Sequence, residues 1–107
     1  MNNLNKLEVY VLNRLSEKYP IVKKHIPCIM VSSREVTGVG MYVNFRYCKA
    51  LDISEVIDMP NISISTNEIV KIHNLEFGLG YEVNILDGKL NFIEFVTYGE
   101  RWDGLTD

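Results

Sequence analysis

A two-layer α+β domain, one N-terminal helix packed on an antiparallel sheet of about five strands, is predicted by three observations. Leu4, Leu7, Val11 and Leu15 recur at three- and four-residue spacing, the period of an amphipathic helix. From Cys28 onward the apolar period falls to two, as in half-buried strands. Two glycine-bearing turns, Thr37-Gly38 and Asp87-Gly88, each divide a pair of β-rich runs, so the strands come as hairpins. A helix with one apolar stripe and a sheet with one apolar face can bury each other, and that gives the two layers. The chain of 107 residues, 47% of them hydrophobic, has no repeat or linker-like break and is read as one domain, 1–107.

The helix is expected over about Asn3–Lys18, with Asn2 or Asn3 as its N-cap. Pro20 ends it, because proline lacks an N–H and excludes the preceding residue from helical geometry. Residues 20–26 have room for a second short turn of helix. Cys28–Val36 and Val39–Cys48 read as the first hairpin. Met41, Val43, Phe45 and Tyr47, with Ile29 and Val31, form its apolar face, and Met30, Ser32, Arg34, Tyr42, Asn44 and Arg46 the other. Residues 50–66 are less regular, with a helical turn over Asp52–Asp58 and a break at Met59-Pro60-Asn61. Glu68–Leu75 is expected to be a connecting strand. Tyr81–Leu86 and Lys89–Tyr98 form the second hairpin, around an Asp87-Gly88 pair suited to a type I′ turn. Strict alternation from that turn pairs Leu86 with Lys89, Ile85 with Leu90, Val83 with Phe92, Tyr81 with Glu94 and Leu79 with Val96. Val83, Ile85, Leu90, Phe92 and Val96 are then core residues, Ile93 and Phe95 face the other way, and Glu94 falls on the core face.

Charge is distributed unevenly. Residues 1–50 carry eight basic and three acidic side chains, residues 51–107 three basic and eleven acidic, for a net −3. An acidic half disfavours nucleic acid as a ligand, since phosphate binding relies on Lys and Arg. It suits a basic protein, because complementary potentials steer encounter. The longest apolar run, Ile26–Val31, is far shorter than the roughly 20 residues a spanning helix needs. The N-terminus lacks the features of a secretion signal, so a cytoplasmic protein with no membrane partner is expected.

His25 and His73 are the only imidazoles, and neither stands at ligand spacing from Cys28, Cys48 or a carboxylate pair. Hence no metal, no cofactor and no catalytic residue is expected. Cys28 and Cys48 fall nearly opposite each other in the first hairpin, where a bridge is conceivable, but without an export signal free thiols are the better reading. Ile93, Phe95, Tyr98 and Trp102 are candidates for an aromatic patch rimmed by Glu82, Glu100, Arg101 and Asp103, the composition of a protein-binding hot spot. The competing account folds the tail back so that Trp102 covers Ile93 and Phe95. A function of another class, a small ligand-binding domain or enzyme, would use a groove between helix and sheet with Arg34, Glu35, Tyr42 and Arg46 as polar groups. A homodimer joined through Ile93 and Phe95 is compatible with either.

Two stretches carry a likeness. Ser32-Ser33-Arg34-Glu35-Val36-Thr37-Gly38-Val39-Gly40-Met41-Tyr42-Val43-Asn44-Phe45, and Gly78-Leu79-Gly80 through Leu86-Asp87-Gly88-Lys89-Leu90 to Glu94-Phe95-Val96-Thr97-Tyr98-Gly99-Glu100-Arg101-Trp102, resemble a group of small bacterial proteins. Some of these look like immunity proteins of toxin–immunity systems, including contact-dependent growth inhibition. With the leading helix and Tyr19-Pro20 the resemblance covers most of the chain. It rests on turn glycines, a hairpin and an aromatic end, and brings no catalytic grouping with it. It implies a protein that is not an enzyme and neutralises a cognate toxin by stoichiometric binding and occlusion of its active site. Because toxin nucleases act on a polyanion and are commonly basic, a basic nuclease domain is the expected partner. Glu82, Glu94, Glu100, Asp103 and Trp102 are the expected binding residues, with Phe95 and Tyr98 as apolar anchors.

Overall fold

The computed structural model describes residues 3–106. Along the chain come α1 (Lys6–Lys18), α2 (Val22–His25), a 3₁₀ turn (Ile26–Cys28), β1 (Ile29–Val36), β2 (Gly40–Tyr47), a second 3₁₀ turn (Ile53–Glu55), β3 (Ile62–Ile64), β4 (Leu79–Leu86) and β5 (Lys89–Thr97). The strands make one antiparallel sheet in the order β1-β2-β5-β4-β3. Leu7, Val11, Leu12 and Leu15 of α1 are buried in one cluster with the inner face of this sheet.

Asn5, rather than Asn3, caps α1; the other expected cap, Asn2, lies outside the described residues. The Asn5 side chain accepts the Glu8 N–H at 2.9 Å and the Glu8 carboxylate accepts the Asn5 N–H at 2.9 Å, a complete capping box. The Asn-x-x-Glu spacing at residues 5–8 carries this signal. Asn3 takes another role: its amide bonds both the N–H and the C=O of Val31, at 2.7 and 3.2 Å, and so closes part of the free edge of β1.

Two bulges decide which side chains face α1. In β1 the register slips between Val31, opposite Phe45, and Ser33, opposite Asn44. The extra residue, Ser32, reverses the strand beyond it, so Arg34 points to the helix side instead of away from it. In the second hairpin Asp87 and Gly88 both have positive φ, 52° and 78°, as a type I′ turn requires. Leu86 pairs with Lys89 and Ile85 with Leu90 as alternation predicts. Asn91 is then bulged out, and Asn84 pairs with Phe92, Val83 with Ile93, Glu82 with Glu94 and Tyr81 with Phe95. Ile93 and Phe95 therefore enter the core, while Phe92, Glu94 and Val96 lie on the opposite face. This corrects the pairings of Val83 with Phe92, Tyr81 with Glu94 and Leu79 with Val96; Leu79 is opposite Thr97. The physical reason is burial: an isoleucine and a phenylalanine each gain about 1.5–3 kcal/mol from leaving water, whereas a buried lone carboxylate loses more than that.

The fifth strand is also elsewhere than expected. Glu68–Leu75 stays out of the sheet apart from Val70, which exchanges two 2.8 Å backbone bonds with Leu79. The edge position goes to Ile62–Ile64, whose short Ile-Ser-Ile alternation pairs with Ile85, Asn84 and Val83. The tail after β5 folds back over the first hairpin. Trp102 donates its backbone N–H to Gly38 at 2.8 Å and packs edge-on against Phe95, with ring centroids 6.3 Å apart.

His25 is fully buried and completes a directional relay. Its Nε2 donates to the Glu55 carbonyl at 2.6 Å, which leaves Nδ1 to accept from the Tyr47 hydroxyl at 2.8 Å. The same hydroxyl accepts the Leu90 N–H at 2.7 Å, so every group is satisfied only with a neutral imidazole. Burial holds the His25 imidazole below its ordinary value of 6.5, with Lys89 adding to the effect and the bond to Glu55 opposing it. Burial also pushes the Tyr47 phenol up to about 12. Because the folded chain then binds fewer protons at His25 than the unfolded chain, this contribution to stability is complete above pH 6.5 and is lost as pH falls through the lower folded value. Urea unfolding between pH 8 and pH 5 should show it, and a His25→Gln variant should be less stable at pH 8 with a flatter dependence below 6.5.

Candidate protein-docking face

The sheet face turned away from α1 is built in rows. Glu35, Tyr42, Glu94 and Glu82 are successive partners across β1, β2, β5 and β4. Beside them run Ser33, Asn44, Phe92 and Asn84. At the other side Val96 is opposite Gly80. Tyr98, 48% exposed, lays its ring over Gly80; a Cβ at that position would meet the phenol oxygen at 2.6 Å, so glycine is what allows the tyrosine to lie down on the strand. Tyr42 and Phe92 stack edge-to-face near the middle, centroids 5.4 Å apart.

Three carboxylates in one row have no cation among the described residues. The only ion pairs there are Arg14 with Glu17 and Glu68, and Arg34 with Glu8. Glu35 accepts from Asn44 Nδ2 at 2.6 Å and Glu94 from the Tyr42 hydroxyl at 3.2 Å. Hydrogen bonding to Glu94, and the negative field of Glu94 and Glu35, hold the Tyr42 phenol above its ordinary 10.0. Glu82 and Glu94 are direct cross-strand partners, and like charges in that arrangement destabilise a sheet. Glu82→Gln is accordingly expected to raise stability by about 0.5 kcal/mol at neutral pH, read as a higher urea midpoint, with the gain fading in high salt.

Of the residues predicted to bind a partner, Glu82, Glu94 and Tyr98 come together on this face. Phe95 and Trp102 do not: they are 0% and 4% exposed, in the core on the helix side. The Asn91 bulge turned Phe95 inward, and the returning tail laid Trp102 over it, so neither is a surface anchor. With Ile93 and Phe95 both buried, a homodimer joined through them has no surface to use. Glu100 accepts the N–H groups of Glu76 and Phe77 at 3.0 and 2.8 Å and ties the tail to the preceding loop. Asp103 accepts the Leu105 N–H at 3.0 Å within the tail. Phe92 and Val96, expected in the core, are the face's apolar members; the one hint in the sequence was a carboxylate, Glu94, assigned to the core between two large apolar residues.

No family model, curated protein or solved structure matches the chain.

The four groups expected to line a helix–sheet groove do not share one. Arg34 lies on the helix side, where it grips Glu8 at 2.7 and 2.8 Å, while Glu35 and Tyr42 belong to the row of carboxylates on the far side and Arg46, on the same strand as Tyr42, is exposed. Among the described residues no three His, Cys, Asp or Glu side chains are grouped to hold a metal ion, and no helix is long and apolar enough to cross a membrane. Cys28 and Cys48 are free thiols, joined through the Cys48 N–H and the Cys28 carbonyl at 2.8 Å.

Proposed function

We propose that this chain is a cytoplasmic immunity protein that neutralises a basic toxin domain, a nuclease being the expected kind, by covering it with the carboxylate-bearing sheet face. The observation that carries the reading is the unneutralised row of Glu35, Glu94 and Glu82 on a face without a helix over it. A folded protein gains nothing by opposing Glu82 to Glu94; a lysine or arginine from a partner set between them turns that repulsion into attraction. Phe92, Tyr42 and Tyr98 provide aromatic surface beside the acids, where an arginine can stack on a ring while its guanidinium pairs with a carboxylate. The resemblance to immunity proteins points the same way. Inhibition of this kind needs a surface and no chemistry of its own.

The test is co-purification with the protein encoded next to it, followed by binding kinetics with Glu82→Lys/Glu94→Lys. A complex whose dissociation constant rises at least 100-fold in the double variant, with an association rate that falls as salt is added, is the expected result. No complex, or one indifferent to the reversal of both charges, overturns the reading.

A further inference from the structure

A cleft of about 880 Å³ opens between the first turns of α1 and the segment around residues 69–73. It exists because that segment leaves the sheet. Val70 alone is bridged to Leu79, so the side chains on either side of it are not covered by a neighbouring strand. Both ends of the cleft are tied down. At one end the Tyr10 hydroxyl donates to Glu68 at 3.2 Å and Arg14 pairs with the same carboxylate at 3.1 Å. At the other, Asn74 Nδ2 donates to the Leu105 carbonyl at 3.2 Å. The walls are therefore set before anything binds.

The lining has two characters. Leu7 and Val70 are buried and, with half-buried Ile72, make an apolar floor. Lys6, Lys71 and His73 are exposed on the rim, and no carboxylate lines the cleft among the described residues. Neither lysine makes an ion pair there, and no hydrogen bond occupies the His73 ring. In a chain of net charge −3, whose second half has three basic residues in all, this is a cationic mouth over a greasy base. A low-dielectric floor concentrates the field of the rim charges, and a volume near the upper end of the ordinary small-molecule range suits a ligand with some length.

From this geometry we infer that the cleft binds a small amphiphilic anion: a carboxylate head held by Lys6, Lys71 and His73, with an aliphatic body along Leu7, Val70 and Ile72. This is a site separate from the sheet face and does not depend on what that face binds. The head supplies a counter-charge to Lys6 and Lys71, and the tail removes apolar surface from water, so both halves are needed for affinity.

Dodecanoate, kept below its micelle concentration, is the probe. Amide NMR shifts should move first at Leu7 and at Val70–His73, and saturate. Acetate, with the head alone, should give no saturable shift, and dodecan-1-ol, with the tail alone, should bind at least 10-fold more weakly. Lys6→Glu/Lys71→Glu, two exposed changes that leave the circular dichroism spectrum and the unfolding midpoint close to the parent's, should weaken dodecanoate at least 10-fold. The inference is overturned by no saturable shift, by shifts centred outside the cleft, by equal affinity for the alcohol, or by indifference to the double reversal.

Discussion

Arg34→Met is expected to destabilise the fold by about 3 kcal/mol, because it strands the Glu8 carboxylate. Glu8 is 0% exposed, and both of its oxygens accept from the guanidinium, at 2.7 and 2.8 Å. Arg34 is itself partly open to solvent, so its removal lets some water reach Glu8 and keeps the loss at the low end of the range for a broken buried pair. The partners are unequal. In Glu8→Gln the arginine can turn to water and the capping bond to Asn5 survives, so a loss of about 1–2 kcal/mol is expected. A Glu8→Leu/Arg34→Met double variant should recover much of the single Arg34 loss, short of about 1 kcal/mol for the cap. Urea unfolding of the three variants reads this directly. A loss below 1 kcal/mol for Arg34→Met would mean that the carboxylate is not held from water as the structure places it.

Trp102→Ala should have a comparable or larger effect, about 3–5 kcal/mol, from a residue that composition alone offers as a docking anchor. Its indole lies edge-on to Phe95 and donates from Nε1 to the Leu105 carbonyl at 2.9 Å. Removing it empties a large volume beside Phe95 and loosens the tail that closes over the first hairpin. The contrast with the sheet face is the informative part. Trp102→Ala should lower the unfolding midpoint strongly and, at a temperature where the variant is still folded, leave the affinity for a basic partner nearly intact. Glu82→Lys/Glu94→Lys should do the reverse. If Trp102→Ala abolished binding by a fully folded variant, the aromatic tail rather than the acidic row would be the contact surface.

The candidate face was only partly legible. Charge and aromatic character point to Glu82, Glu94 and Tyr98, and these three do share a surface, although strict alternation sends Glu94 to the core. Phe95 and Trp102 were picked out by the same aromatic signal, yet they are core residues. Composition can nominate an aromatic for a surface or for a core, but it does not say which. Phe92 and Val96 are missed for another reason: strict alternation, without the Asn91 bulge, sends both to the core. The cleft beside α1 had no sequence signal at all, since it is made by the segment around Val70 failing to become a strand.

Local chemistry by itself determined that there would be one leading helix ended by Pro20 and two antiparallel hairpins under it, the second around a type I′ turn at Asp87-Gly88, because prolines, turn glycines and hydrophobic periods act over a few residues; which segment would take the fifth, edge position was not fixed locally. Which face each side chain occupies was decided only in three dimensions. A strand alternates with a period of two, so one extra residue, Ser32 or Asn91, reverses everything beyond it. Where that residue is accommodated depends on which pairing buries Ile93 and Phe95 and lets Arg34 reach Glu8, contacts between segments far apart in the chain.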